Sequence, residues 1–250
     1  MLLTQFKALT FDCYGTLIDW ESGMVEGLRP LTARVGREMR RNEILEAHAF
    51  HESRQQAQTP GTLYRELLPI VYKRLAEQWG VTASHEECAA YGRSIRDWPA
   101  FEDSAAALRY LKAFYKLVIL SNVDNESFSF SNERLGVQFD AIITAEDVGA
   151  YKPSAANFYY MIDRLGFGLG GEPIGKGDIL HVAESLFHDH KPANRIGLAS
   201  CWIYRRHKDE GFGATMNPGD TPDYDFRFTS MAELARAHQE EIRTSEAGRT

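Results

Sequence analysis

The chain has few cysteines, no excess of basic residues and no long apolar run, and each shortage excludes a class of protein. Cysteine occurs at three widely spaced positions, Cys13, Cys88 and Cys201, which form neither a disulfide framework nor a zinc-binding pattern. The formal net charge of −7 argues against a nucleic-acid partner, since such a partner requires a basic face. No run of about 18 apolar residues occurs, so no membrane-spanning helix is expected. These shortages predict a cytoplasmic protein without nucleic-acid or membrane partners.

The bulk composition is that of an ordinary globular protein. Hydrophobic residues make up 44% and charged residues 25% of the 250 positions. This length accommodates one large domain or a core with an inserted segment. Polar Thr4 and Gln5 follow the first three residues, so a secretion signal is not expected. The negative charge leaves a small anionic substrate open, because a local group of Lys and Arg can override the overall sign.

The stretch from Phe6 to Asp19 is the most informative in the chain. Its first half is apolar and predicts a buried strand, which ends at the carboxylate of Asp12 and a glycine turn at Gly15. Open α/β sheets place ligands at the carboxyl ends of their strands. A turn Asp that binds backbone N–H groups is the alternative interpretation. Cys13 follows Asp12 on a strand, so its side chain is expected in the core and not in a nucleophilic role.

The next 75 or so residues show helical patterns and no convincing strand. Leu63, Leu67, Val71 and Leu75 recur every four residues and so share one helical face. The predicted helices cover 24–39, 43–57, 62–79 and 84–95, with breaks at 59–61 and at Gly80.

Alternation of strands and helices begins after residue 99. Apolar runs predict strands at 116–122, 141–144, 178–183 and 201–204 and an edge strand at 224–228, with helices over 103–114, after Pro153 and over 231–242. The residues 244–250 are expected to form a flexible tail. This order predicts an α/β fold, a doubly wound parallel sheet with the first strand central.

Polar residues stand where three of these strands end. Ser121 and Asn122 end the second strand, although Ser121 also suits the cap of a helix near Asn125. Lys152 precedes Pro153, which fits a first helical turn. A cation beside Asp12 would keep that carboxylate ionised and lower its pKa.

Four motifs in order, around Asp12, Ser121, Lys152 and Asp189, resemble those of the haloacid dehalogenase (HAD) superfamily. Tyr14 stands where phosphatases of the superfamily usually carry a second Asp, so the chain is similar to the L-2-haloacid dehalogenase branch. Tyrosine is a poor general acid at neutral pH, since its pKa is near 10. The resemblance implies a HAD-like, Rossmann-like core of residues 1–19 and 97–243, with a helical cap subdomain over 20–96.

The resemblance also implies a reaction and a set of site residues. Asp12 would displace halide from a short (S)-2-haloacid, and water would hydrolyse the resulting ester to a 2-hydroxyacid, with no metal cofactor. Its implied catalytic residues are Asp12, Lys152, Ser121, Thr16 and Asp189, and its substrate-binding residues are Tyr14, Asn122, Ser185 and Glu184.

A Mg²⁺-dependent phosphatase acting on a small phosphate ester is the alternative. Glu184 and Asp189 keep the usual spacing of the metal-binding acids, so Mg²⁺ would be held by Asp12, Tyr14, Glu184 and Asp189. In the metal-free interpretation, Glu184 and Asp189 pair with Lys152 and orient it or the hydrolytic water. A catalytically silent binding protein is a third hypothesis.

Some positions depart from the dehalogenase pattern. The nearest counterparts of the branch's substrate-binding arginine are Glu46 and Ala47, with Arg40, Arg41 or Arg54 as candidate substitutes. Phe158 replaces the tyrosine expected six residues after the lysine. His188 and His190 flank Asp189, and a supporting or surface role is expected for both. Trp20 and Trp98 suit a homodimer contact as well as packing between cap and core.

Overall fold

The computed structural model describes residues 1–247. Its centre is a sheet of six strands, all paired in parallel, in the order β3-β2-β1-β4-β5-β6. The first strand therefore lies in the interior of the sheet, between β2 and β4, as the sequence indicates. The strands are β1 (Ala8–Phe11), β2 (Lys116–Ser121), β3 (Ala141–Thr144), β4 (Ile179–Ala183), β5 (Ala199–Ile203) and β6 (Phe226–Phe228).

Helices cover both faces of the sheet, which explains why the central strands are apolar throughout. Successive residues of β1 point to opposite faces: Ala8 packs into one hydrophobic cluster, and Leu9 and Phe11 into the other. The helices are α1 (Trp20–Thr32), α2 (Arg41–Gln58), α3 (Tyr64–Gln78), α4 (His85–Arg93), α5 (Ser104–Leu111), α6 (Asn125–Leu135), α7 (Ala145–Val148), α8 (Ala155–Gly166), α9 (Lys191–Ile196) and α10 (Met231–Ala247). The doubly wound α/β architecture is thereby confirmed.

Helices α1 to α4 are inserted between β1 and α5. Asp19 caps α1 by accepting from the backbone N–H of Ser22 at 3.2 Å. The start of α3 is joined to the start of α6, because Asp124 accepts from both the backbone N–H (3.0 Å) and the guanidinium (2.6 Å) of Arg65. The hydroxyl of Tyr151 also donates to the carbonyl of Thr62 at 2.5 Å. The inserted helices thus lie against the carboxyl ends of the strands.

Several element boundaries differ from those that the sequence indicated. Helix α1 ends at Thr32 and not at 39, and α10 continues to Ala247, so residues 244–247 are helical where a tail was expected. The rest of that tail, 248–250, lies outside the described residues. Pro153 precedes α8, which Ser154 caps, and the Lys152–Pro153 peptide is cis. Periodicity locates the centre of a helix better than its ends, because side-chain caps and tertiary contacts decide where it stops.

Among residues 1–247, no helix is both long enough and apolar enough to cross a membrane.

Candidate active site

The predicted motif residues meet at the carboxyl edge of the sheet. Asp12 directly follows β1, Ser121 ends β2, and Asp189 lies in a single π-helical turn, Leu186–His190, after β4. Lys152 reaches the same place from the loop before α8. Because β1, β2 and β4 are adjacent and parallel, residues more than 170 positions apart come within contact.

Asp12 has a donor on each of its two carboxylate oxygens. Lys152 Nζ donates to Oδ1 at 2.9 Å, and Thr16 Oγ1 donates to Oδ2 at 2.8 Å. The turn that returns Thr16 to Asp12 needs Gly15, whose φ of 94° is one that residues with a side chain rarely adopt. Thr16 is itself held by the backbone N–H of Glu184, which donates to its hydroxyl at 2.9 Å.

Lys152 is buried, and all three of its ammonium protons have acceptors. Nζ lies 2.9 Å from Asp12 Oδ1, 2.6 Å from Asp189 Oδ1 and 2.9 Å from the carbonyl oxygen of Leu120. Asn122 holds the backbone of Lys152 from both sides: its oxygen accepts from the Lys152 N–H (2.6 Å), and its amide donates to the Lys152 carbonyl (2.9 Å). The amide of Asn122 therefore positions Lys152, and the substrate-binding role that the sequence suggested for Asn122 stays a prediction.

Asp189 is held by two donors on one oxygen and has none on the other. Oδ1 accepts from Lys152 Nζ and from His181 Nε2, at 2.6 and 2.9 Å. His181 Nδ1 lies 2.9 Å from Thr10 Oγ1 on the neighbouring strand. Oδ2 of Asp189 is buried and has no hydrogen-bond partner within residues 1–247. Sequence reasoning missed Thr10 and His181, because they lie within strands that were interpreted as plain core.

Burial and charge act in opposite directions on these groups. Burial raises the pKa of Asp12 above its ordinary value, against the effect of the Lys152 ammonium. Lys152 lowers this pKa as expected, but desolvation is the larger effect, so the net direction is upward. Despite burial, the two carboxylates raise the pKa of Lys152, and Lys152 and His181 lower the pKa of Asp189. Lys152 thus stays charged between the two carboxylates.

Ser121 and Tyr14 complete the floor of the site. Ser121 Oγ is buried without a hydrogen-bond partner in the described chain. It does not cap α6, since Asp124 does so by accepting from the N–H of Ser127 at 3.0 Å. The Tyr14 hydroxyl lies 3.0 Å from Ser131 Oγ, and burial raises the pKa of Tyr14 well above its ordinary value. The Tyr14 side chain is therefore uncharged at neutral pH, and its hydroxyl is a poor general acid.

These residues line a cavity of about 30 Å³, which has room for a water molecule or two. Its roof comes from the inserted helices: Glu52 and Gln56 from α2, Tyr64 from α3 and Trp20 from α1. Sequence reasoning did not single out Glu52, Gln56 or Tyr64, because helical periodicity does not show which polar positions face a neighbouring domain. The remaining lining residues are Asp12, Tyr14, Ser121, Asn122, Lys152, Ser185, His188, Asp189 and Thr215.

Glu184 lies beside the cavity that contains Asp12. Its side chain lines two neighbouring cavities and not the one that contains Asp12. Burial, together with nearby Glu21 and Asp12, raises the pKa of Glu184 to about 8. The expected pairing of Glu184 with Lys152 is wrong, since Asp12, Asp189 and the Leu120 carbonyl take the three ammonium protons. The expected contact of Glu184 with substrate stays a prediction.

Ser185 and the two histidines that flank Asp189 support the π-helical turn. Ser185 Oγ accepts from the backbone N–H of His188 at 3.0 Å and lies 3.1 Å from its Nδ1. His190 is buried between Ser200 Oγ and the carbonyl of Ala183, each 3.0 Å away. Burial lowers the pKa of both histidines to about 4. Both histidine side chains are therefore uncharged at neutral pH, and their contacts hold the π-helical turn in place.

The residues proposed for a Mg²⁺ site do not fit one. Lys152 and His181 occupy Oδ1 of Asp189, the Tyr14 hydroxyl lies against Ser131, and Glu184 lines other cavities. Over residues 1–247, no three His, Cys, Asp or Glu side chains are grouped so that they could hold a metal ion. The ammonium group of Lys152 already lies between Asp12 and Asp189.

The arginines suggested as substitutes do not reach the cavity. Arg40 and Arg41 line an open depression beside α2, and Arg54 is exposed. Cys13 is buried, and burial and Asp12 raise its thiol pKa well above its ordinary value. Trp98 is buried against Tyr14, with ring centroids 5.6 Å apart.

The chain resembles characterised dehalogenases over most of its length. It is 32% identical over 221 residues to an (S)-2-haloacid dehalogenase of Pseudomonas putida and 27% identical over 223 residues to one of Pseudomonas fluorescens, covering 82% of this chain and 87% of each relative. The crystal structure of the L-2-haloacid dehalogenase from Xanthobacter autotrophicus matches with a TM-score of 0.72 at 19% identity, covering 92% of this chain and 97% of that one. The family model of haloacid dehalogenase-like hydrolases matches residues 6–183. This chain therefore belongs to the haloacid dehalogenase-like hydrolase family.

Proposed function

We propose that this hydrolase cleaves the carbon–halogen bond of short (S)-2-haloacids through an ester on Asp12, without a metal cofactor. The observation that carries the proposal is the arrangement around Asp12: Lys152 on one oxygen, Thr16 on the other, and neutral Tyr14 where an acid would serve a phosphatase. The relatives named as (S)-2-haloacid dehalogenases support the same class of substrate.

In the first step, a carboxylate oxygen of Asp12 attacks the carbon that carries the halogen. A carbon–oxygen bond forms, the carbon–halogen bond breaks, and the electron pair leaves with the halide. Halide leaves without a proton, so the site needs no general acid. Lys152 holds Asp12 in position through the reaction and balances one of the two buried carboxylate charges.

In the second step, water attacks the ester carbonyl carbon of Asp12. The bond from that carbon to the substrate oxygen breaks, and the departing oxygen takes a proton from the water to give the 2-hydroxyacid. Asp12 is left as a carboxylic acid and returns to the carboxylate by releasing a proton. The free Oδ2 of Asp189 lines the same cavity and would orient this water by accepting a hydrogen bond.

We also propose that residues 20–96 act as a cap on a core formed by 1–19 and 97–243. The cavity beside Asp12 measures about 30 Å³, and the inserted helices cover it. Since Trp20, Glu52, Gln56 and Tyr64 form its roof, displacement of the inserted helices would admit substrate, and their return would exclude water.

The test is halide release from (S)-2-chloropropionate by the purified protein, with and without EDTA, beside phosphate release from p-nitrophenyl phosphate. We expect halide release that EDTA leaves unchanged and that Asp12→Asn abolishes. One turnover in ¹⁸O-labelled water should give an unlabelled hydroxyl in the product, because that oxygen comes from Asp12. Phosphate release that EDTA abolishes, without halide release, would overturn the proposal in favour of the phosphatase.

A further inference from the structure

We propose that Arg205 is a positioning residue for Asp12, and that it acts through the backbone carbonyl of Thr16. Arg205 follows β5 and is not among the residues that line the cavity beside Asp12. The inference rests on the proposed dehalogenation at Asp12, because the rate of halide release reports how well that carboxylate is placed.

The Thr16 hydroxyl has one direction in which it can donate. The backbone N–H of Glu184 donates to Thr16 Oγ1 at 2.9 Å, so this contact uses a lone pair of the hydroxyl oxygen. The hydroxyl hydrogen is then directed to Oδ2 of Asp12, which lies 2.8 Å away. A shift of Thr16 would therefore withdraw one of the two donors that fix the nucleophilic carboxylate.

Arg205 holds the backbone of Thr16. Nε and Nη2 of its guanidinium both donate to the carbonyl oxygen of Thr16, at 3.1 and 2.9 Å. The backbone N–H of Thr16 donates to the carbonyl oxygen of Cys13 at 3.3 Å. Thr16 is thus fixed at its N–H, at its hydroxyl and at its carbonyl, and Arg205 provides the contacts at the carbonyl.

The guanidinium is itself fixed by residues at the start of α5. Its Nη1 lies 2.9 Å from Oδ1 of Asp103, and its central carbon lies 4.0 Å from the centre of the Phe101 ring. Only 10% of the Arg205 side chain is exposed. A lysine ammonium is a single point charge on a flexible stem, so it cannot bridge a carbonyl and a carboxylate as one planar group does. None of these contacts involves the inserted helices, so Arg205 holds Thr16 from the side of the sheet.

The decisive experiment is a double-mutant cycle on halide release from (S)-2-chloropropionate, with Arg205→Lys, Thr16→Val and the double variant. Arg205→Lys should lower kcat by about 10- to 100-fold and change KM by less than about threefold. In the Thr16→Val background, the same change should lower the rate by less than about threefold, because the hydroxyl that Arg205 positions is absent. Single-turnover measurements with excess enzyme keep the slow variants measurable. Arg109→Lys, an exposed change on α5, should leave kcat unchanged.

A second variant covers the case in which Arg205→Lys does not fold. Asp103→Asn leaves Arg205 in place and weakens its anchor, so it should lower kcat by about three- to tenfold, and only when Thr16 keeps its hydroxyl. An unchanged kcat, or equal losses with and without the Thr16 hydroxyl, would overturn the inference and leave the dehalogenase proposal intact. No halide release from the wild type would overturn the dehalogenase proposal itself, and this inference with it.

Discussion

His181 Nε2 lies 2.9 Å from Oδ1 of Asp189, the same oxygen that receives Lys152 Nζ. Because an ionised carboxylate can only accept, Nε2 carries the proton. On the other side of the ring, Nδ1 lies 2.9 Å from the Thr10 hydroxyl oxygen. The chain of contacts from Thr10 to Asp189 leaves Oδ2 as the one oxygen of Asp189 without a donor among residues 1–247.

His181→Leu should slow the second step more than the first, because the mutation frees Asp189 to rotate while Asp12 keeps its donors. We expect kcat to fall by about 10- to 100-fold with little change in KM. A burst of halide equal to the enzyme concentration should appear in rapid-quench measurements. His238→Leu, a change at another buried histidine on α10, should produce no burst. An unchanged kcat, or a slow phase without a burst, would exclude a positioning role for His181.

Ser121→Ala should separate function from stability. The hydroxyl is buried and satisfies no partner within residues 1–247, so its removal should change the free energy of unfolding by no more than about 0.5 kcal/mol. If the hydroxyl serves the reacting group, kcat/KM should fall by about 10- to 100-fold. Denaturant unfolding and halide release measure the two quantities. A clear loss of stability with full activity would contradict this assignment.

Glu184→Gln should flatten the dependence of stability on pH. Burial raises the pKa of Glu184 to about 8 in the folded protein, against an ordinary value of 4.5. The folded state then binds the proton more tightly, so stability falls as pH rises from about 4.5 to about 8, and it is constant outside that window for this group. The loss for Glu184 between pH 5.5 and 8 is on the order of 3 kcal/mol.

Thermal unfolding at the two pH values tests this expectation. The melting temperature of Glu184→Gln should fall several degrees less than that of the wild type as pH rises. Glu133→Gln, an exposed change on α6, should retain the wild-type dependence. If the melting temperature falls equally for Glu184→Gln and the wild type, the Glu184 carboxyl ionises in water and not in the buried position.

Gly23→Ala should disturb the contact between α1 and Trp98. A Cβ at Gly23 would overlap the indole ring, which is 1% exposed and has little room to move. We expect a loss of about 1–3 kcal/mol in the free energy of unfolding. Gly166→Ala at the end of α8 is the matched control, because its Cβ would meet nothing within 4 Å. Calorimetric melting of both variants checks the difference, and equal stability would contradict the packing argument.

Much of the fold was accessible from the sequence because its signals are local. Apolar runs located β1 to β4 closely, and the carboxyl-end rule predicted that Asp12, Ser121 and Lys152 would meet. The short helices α7 and α9 were not anticipated, since four to six residues carry too little periodicity. The exact ends of the helices, and the extension of α10 to Ala247, depend on caps and on contacts with distant elements.

The sequence by itself determined that Asp12 follows a strand in the interior of a parallel sheet and that Tyr14 stands two residues after it. Only the tertiary structure decided that Glu52 and Gln56 face Asp12, that Glu184 lines other cavities, and that His181 holds Asp189. The reason is physical. Motif residues follow strands whose parallel pairing brings their ends together, whereas the direction of a polar side chain on an inserted helix is set by packing against residues far away in the chain.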